Sequence, residues 1–170
     1  MKNKQVILVN NDDTERGTME KMEAHLKGEL HRAYSVFIFN SKNELLLQRR
    51  AINKYHSGGL WTNTCCSHPQ PGENMNESAR KRLIEEMGID CVLKNVFHFI
   101  YKIKLDNQLI EHELDHVFIG LNDEIPEINL QEVMEWKYVK IDEIKKSLEL
   151  NPESYTVWFK IIFERVLEHI

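Results

Sequence analysis

Leu109 to Phe118 reads LIEHELDHVF, three acidic residues alternating with two histidines and hydrophobics. In an extended chain residues two apart share a face, so Glu111, Glu113 and Asp115 line one side of a strand. A row of this kind is ordinarily a solvated sheet face. Here it crowds into an otherwise apolar strand, and like charges at that spacing repel unless something positive lies between them. A metal ion is the economical alternative. His25 and His31 are six positions apart, a spacing that does not place both on one helix face. Gly28 between them lets the chain turn, so the two imidazoles can converge; two exposed loop histidines is the competing reading. His68 stands beside Pro69 and before Pro71-Gly72, in a rigid turn that suits a ligand better than a mobile surface residue. Three histidines with two of these carboxylates make a mixed N/O set suited to zinc, manganese or magnesium in five- or six-coordination.

His68 belongs to the segment WTNTCCSHPQPGE, Trp61 to Glu73, whose adjacent Cys65 and Cys66 could hold a metal, supply a reactive thiol or pack. Farther on, Arg82 and Glu86 lie four apart with Glu85 adjacent. That is either an ordinary helix salt bridge, worth ~0.3 kcal/mol, or an anion clamp in which Glu86 holds Mg²⁺ and Arg82 reaches the same phosphate. Lys21, Arg50 and Lys54 are further cations, each explained singly by surface charge. Trp158 opens the apolar face of the last helix, where an indole is core, interface or an aromatic wall able to stabilise a cation.

These residues need elements to position them. QVILVN reads as a first strand ended by the turn signal at 11–13, and TMEKMEAHLKGELHRA as a polar stretch of short helical character interrupted at Gly28. AYSVFIF is a strongly apolar strand, NSKN turns it, and ELLLQRRA returns as its partner. In NESARKRLIEEMGI, Ala79, Leu83 and Met87 recur every four residues as the buried stripe of a helix; Asn74 or Asn76 can cap it and Gly88 can end it. VFHFIYKIKL and QLIEHELDHVFIGL form a hairpin joined near Asp106-Asn107, EWKYVKI adds a strand, and Asp142 can cap a short helix. NPESYTVWFKIIFERVLEHI predicts one amphipathic helix with Asn151 as cap and Pro152 in its first turn. Strands mixed with a few helices, without regular βαβ alternation, predict an α+β or mixed-sheet α/β sandwich, and with no internal repeat or linker a single domain over 1–170.

A net charge of -5 argues against a nucleic-acid partner held by a broad basic face, so an anionic ligand needs a local Lys/Arg cluster. No apolar run approaches a membrane span, and MKNKQVILVNNDD turns polar too soon for a signal peptide. Three cysteines, Cys65, Cys66 and Cys91, make no disulfide framework; reduced thiols and a cytoplasmic location are expected. The sequence leaves the oligomeric state open.

The helix and its approach resemble the Nudix superfamily signature, G-x5-E-x7-R-E-U-x-E-E-x-G-U with U aliphatic, read here as Ser67, Glu73, Lys81, Arg82, Leu83, Glu85, Glu86, Gly88 and Ile89. Lys81-Arg82 replaces the Arg-Glu pair, exchanging a metal-binding carboxylate for a cation, which argues against hydrolysis by the usual Nudix arrangement. With GTMEKMEAH, TNTCCSHPQPGE and IEHELDHVF, the chain resembles the type 1 isopentenyl-diphosphate isomerases from Val6 to about Arg165. The resemblance implies a Nudix-like α/β/α sandwich with a mixed sheet that interconverts isopentenyl and dimethylallyl diphosphate in isoprenoid biosynthesis. It implies His25, His31, His68, Glu111 and Glu113 as ligands of one divalent ion (Mn²⁺, Zn²⁺ or Mg²⁺), and Glu86 as ligand of Mg²⁺ carried with the substrate diphosphate. Lys21, Arg50, Lys54 and Arg82 match the diphosphate contacts, Tyr101 a tyrosine bonded to the acidic site, and Trp158 the aromatic residue near the isoprenoid tail. Cys66, one residue from His68, matches the reactive cysteine; Ser67 stands where that family usually has Gly.

Moving an unactivated double bond means adding a proton at one carbon and removing one from another, through a cation that water must not reach. Glu113 is expected to deliver one proton, with the ion and Tyr101 setting its acidity, and Cys66 to exchange the other as a thiolate eased by nearby cations. Two rivals are a Nudix hydrolase cleaving a nucleoside or other diphosphate, and a non-catalytic metal or redox module centred on Cys65, Cys66 and His68. No flavin site is expected.

Overall fold

A computed structural model describes residues 4–170; the first three residues of the opening segment lie outside the described residues. Strand β1 (Gln5–Val9) pairs antiparallel with β2 (Glu15–Glu20), and helix α1 (Lys21–Lys27) follows directly. The stretch expected to be helical therefore splits. Its first three residues, 18–20, belong to β2, which has no apolar alternation and is a strand by virtue of backbone pairing to β1. Gly28 ends α1 in the left-handed region, φ 66°, and its N–H donates to Ala24.

The central strand is β3 (His31–Phe39), which runs parallel to β8 (Ile110–Leu121) along its whole length. Its other edge meets β1 at His31, β6 (Cys65–Ser67) at Tyr34 to Val36, and β4 (Glu44–Arg50) only at Phe39. The expected β3–β4 hairpin is thus a splayed one: β4 pairs along its length with β9 (Val133–Lys140) and at its end with β5 (Trp61–Thr62). The long hairpin β7 (Leu93–Lys104) to β8 turns at 106–108, as the sequence indicates, with Asn107 at φ 60°.

Alternation along β3 sends Tyr34, Val36 and Ile38 to one face and Phe37 and Phe39 to the other. The first face is covered by α2 (Met75–Met87) through Ala79, Leu83 and Met87, all fully buried. Burying a Leu or Met side chain contributes about 2 kcal/mol. Asn74, not Asn76, caps α2, accepting from the Asn76 and Glu77 amides, and Gly88 ends it at φ 66°. The second face is covered by α4 (Val157–Leu167) through Phe159, Ile162 and Phe163. A mixed sheet between helical layers is the α/β/α sandwich the sequence implies.

Two helix starts differ from expectation. Asp142 lies in the first turn of α3 (Ile141–Leu150), whose cap position is Lys140. The last segment is broken: Pro152–Ser154 is a 3-10 turn, Tyr155 is extended, and Thr156 is the cap position of α4. The interruption has a cause in β5. The Thr156 amide donates to Trp61 O at 2.9 Å and its hydroxyl to Thr62 Oγ1 at 2.9 Å, both requiring extended backbone.

Candidate active site

One cavity of about 880 Å³ opens at the ends of β3, β6 and β8 and is lined by Lys21, Arg50, Lys54, Cys66, His68, Arg82, Glu86, Tyr101, Glu111, Glu113 and Trp158. His25 and His31, fully buried, stand behind this wall, their rings 4.9 Å apart. Every site residue expected from the sequence is therefore brought to one place.

The imidazoles come from three elements. His25 sits on the last turn of α1, His31 begins β3, and His68 follows β6. His31 shares a sheet rung with Glu113, and Glu113 shares the next with Tyr101 on β7, so pairing alone aligns three site residues. Nδ1 of His25 lies 2.7 Å from Lys21 O and Nδ1 of His31 lies 2.8 Å from Glu29 O. A carbonyl only accepts, so each Nδ1 carries the proton and a neutral ring presents the lone pair of Nε2 to the cluster. Among the described residues neither Nε2 atom, both buried, has a hydrogen-bond partner, and neither does Glu111 Oε2, 3.3 Å from His25 Nε2. Acceptor facing acceptor calls for a cation between them. His25, His31, His68 and Glu113 each offer a ligand atom within 4.8 Å of one another. This donor set fits a divalent ion of the zinc or manganese type.

Burial would raise Glu113, but the imidazoles of His31 and His68 against its carboxylate hold it well below the usual carboxylate range. One oxygen, Oε1, lies 2.8 Å from His68 Nε2; the other accepts from Tyr101 Oη at 2.7 Å. Burial outweighs Glu113 at His68 and lowers it to about 4, leaving the neutral ring that ligation requires. Asp115, third in the acidic row, accepts from Ser35 Oγ at 2.8 Å and is raised well above its ordinary value by burial and Glu113. His112 and His116 alternate to the opposite face, where they meet Gly28 O and Asp13.

The segment from Trp61 to His68 has separate jobs. Thr62, Asn63 and Thr64 are fully buried braces: Thr64 Oγ1 bridges Leu46 O and the Ile38 amide, and Asn63 Nδ2 reaches Val36 O and Cys65 O. Cys65 pairs with Val36 on the α2 face and packs there, while Cys66 pairs with Ser35 on the cavity face. Ser67 lies in β6 without a positive φ, so the side chain in place of glycine costs the loop no strain. The expected easily formed thiolate is not what the surroundings favour. Burial pushes the Cys66 thiol up to about 12, with Arg50 opposing it and Glu86, Glu113 and Asp115 adding to it.

At the far end, Arg82 Nε donates to Glu86 Oε1 at 2.6 Å and Arg82 Nη2 lies 3.0 Å from Glu132 Oε2. Lys54 pairs with the same Glu132, and Gln48 Nε2 donates to Glu86 Oε2 at 2.8 Å. Lys21 faces the Tyr55 ring at 4.3 Å, and burial with Lys54 nearby lowers it to about 8. The Arg50 guanidinium lies 5.2 Å from the Trp158 ring. Sequence reasoning missed Glu132, in a polar stretch between elements, and Tyr55 and His56, in a loop whose turn residues Ser57, Gly58 and Gly59 drew no functional reading.

The acidic helix and the sheet are those of a NUDIX-domain protein, and that domain matches residues 29–159. The fold is shared with DR0079 from Deinococcus radiodurans, at a TM-score of 0.73 and 18% identity over 87% of this chain and 90% of that one. It is shared too with a MutT protein from Methanosarcina mazei, at a TM-score of 0.67 and 22% identity over 82% and 94%. Sequence similarity is far higher to the isopentenyl-diphosphate Delta-isomerase of Pectobacterium atrosepticum, 53% identical over 97% of this chain and 92% of that protein. Isopentenyl-diphosphate Delta-isomerase 2 of Aromatoleum aromaticum is 51% identical over 96% and 86%. The chain belongs to the isopentenyl-diphosphate Delta-isomerase family.

Proposed function

We propose that this protein interconverts isopentenyl and dimethylallyl diphosphate for isoprenoid biosynthesis, a single cytoplasmic domain over 1–170 acting on a small-molecule diphosphate. The observation that carries the reading is that Cys66 and Glu113 line one cavity beside Trp158, with Lys21, Arg50, Lys54 and Arg82 on its walls.

Cys66 and Glu113 form the acid–base pair. One adds a proton to the terminal methylene carbon, positive charge develops at the branched carbon, and the other removes a proton from the carbon nearer the diphosphate. Glu113 is assigned delivery of one proton and Cys66 exchange of the other; burial of Cys66 supports its standing as a thiol before the transfer. Tyr101 holds Glu113 in place, and the Trp158 indole stabilises the cation by on the order of 2 kcal/mol once water is excluded.

His25, His31, His68, Glu111 and Glu113 would hold one divalent ion, whose positive charge would orient and tune the carboxylates. Glu86 would hold Mg²⁺ carried with the diphosphate, and the four cations would fix the anionic end so that the five-carbon unit lies between thiol and carboxylate. Proton NMR of isopentenyl diphosphate incubated with the protein, Mg²⁺ and Mn²⁺ in D₂O tests this. Deuterium entering the methyl groups of dimethylallyl diphosphate is the expected result; release of inorganic phosphate without isomerisation would overturn it.

A further inference from the structure

Glu111 and Glu113 are arranged alike, each with one oxygen turned toward the imidazole cluster and the other turned away. For Glu113 the outward oxygen is held by Tyr101. For Glu111 the outward oxygen, Oε1, lies 3.0 Å from His56 Nε2, while Oε2 faces His25 at 3.3 Å. We propose that His56 is a positioning residue for the metal site, orienting Glu111 so that Oε2 points at the ion; this rests on the proposed divalent site.

Ring chemistry separates His56 from the ligand histidines. His25 and His31 spend Nδ1–H on backbone carbonyls, which leaves Nε2 as a lone pair. His56 Nδ1 instead lies 3.2 Å from Ser57 Oγ, a hydroxyl that, unlike a carbonyl, can donate and so allows the tautomer with its hydrogen on Nε2, the nitrogen facing the Glu111 carboxylate. The residue is 91% buried and, among the described residues, Nε2 has no other partner; its direction to Oε1 is off the straight line of a hydrogen bond, so the link is a close polar contact. Among the described residues His56 is not one of the four that converge as His25, His31, His68 and Glu113; its ring meets His25 and Glu111 at the edge of that cluster.

The loop is built to place this ring. Arg50 Nη2 donates to His56 O at 3.2 Å, and the Gly59 amide to Arg50 O at 3.0 Å. Ser57 takes φ 52°, unusual for a residue with a side chain, and a Cβ on Gly58 would stand 2.4 Å from Ile52 O. Tyr55 and Trp158 pack edge-on against the imidazole at 4.2 and 5.5 Å between centroids.

The test is titration of Co²⁺ into the metal-free full-length protein without substrate, following affinity and the visible spectrum. His56→Leu keeps the bulk and removes the N–H; His56→Gln returns an N–H near the position of Nε2. Outer partners of metal ligands typically contribute 10- to 100-fold in affinity, so His56→Leu is expected to weaken Co²⁺ by about that factor and His56→Gln to recover most of it. Thermal melting of the metal-free variants checks folding, and if His56→Leu does not fold, His56→Ala replaces it. Co²⁺ affinity within twofold of wild type in the Leu or Ala variant, or equal loss in that variant and His56→Gln, overturns the role of His56 alone. Wild type that takes up no Co²⁺ overturns the metal reading together with it.

Discussion

The two ends of the cavity hold charge in opposite ways. At the imidazole end, His25 Nε2, His31 Nε2 and Glu111 Oε2 are buried with no hydrogen-bond partner among the described residues. At the cation end, Arg82 is tied to Glu86 and Glu132, and Lys54 to Glu132. The first end is a cage of inward acceptors held by the sheet, complete only with a cation. The second is neutralised by its own carboxylates and must exchange partners when a polyanion arrives. Glu132, bridging Lys54 and Arg82, occupies those cations much as a phosphate oxygen would. A rigid ion cage and an exchangeable anion cradle suit an enzyme that keeps one metal and turns over a diphosphate.

The largest effect is expected between the ends. Cys66→Ala should lower turnover by about 10³-fold, the range for lost proton transfer, with Co²⁺ affinity and KM little changed; wild-type turnover by deuterium-incorporation NMR would break the acid–base pair. His31→Gln should weaken Co²⁺ by about 100-fold or more yet leave binding of inorganic diphosphate with Mg²⁺ within about threefold, as expected of independent sites. Calorimetry showing both ligands lost together would merge the two ends. Glu132→Gln should tighten inorganic diphosphate roughly twofold to threefold, because a partly exposed ion pair worth about 0.5 kcal/mol no longer competes; weaker binding would make Glu132 a contributor to the cradle rather than an occupant. Lys21 loses its charge as pH rises through about 8, so kcat/KM should fall above that pH, and Lys21→Arg should flatten the fall. Cys65→Ala, on the α2 face, should cost about 1 kcal/mol of stability by denaturant unfolding and leave turnover unchanged.

The ligand end was legible in the sequence because strand alternation fixes which side Glu111, Glu113 and Asp115 share, and the caps of α2 are local signals. The convergence of His25 and His31 was open to sequence reasoning only as a consequence of Gly28, and the structure resolves it by placing them on different elements. The β2 strand was illegible: its exposed residues carry no periodicity, and backbone pairing with β1 decides it. The break at Tyr155 is set by contacts with Trp61 and Thr62, more than ninety positions away. His56 and Glu132 escaped for a similar reason. Each lies in a loop or between elements, and its partner is chosen by tertiary packing.

Glu113 meets His31 across a parallel rung and Tyr101 across an antiparallel one. Sliding either strand by a single position would turn the carboxylate toward the opposite side of the sheet. Metal uptake is thus a report on assembly: a chain misaligned at this rung could be compact and largely paired yet remain unable to load, so refolding followed by Co²⁺ absorbance would count only correctly aligned molecules.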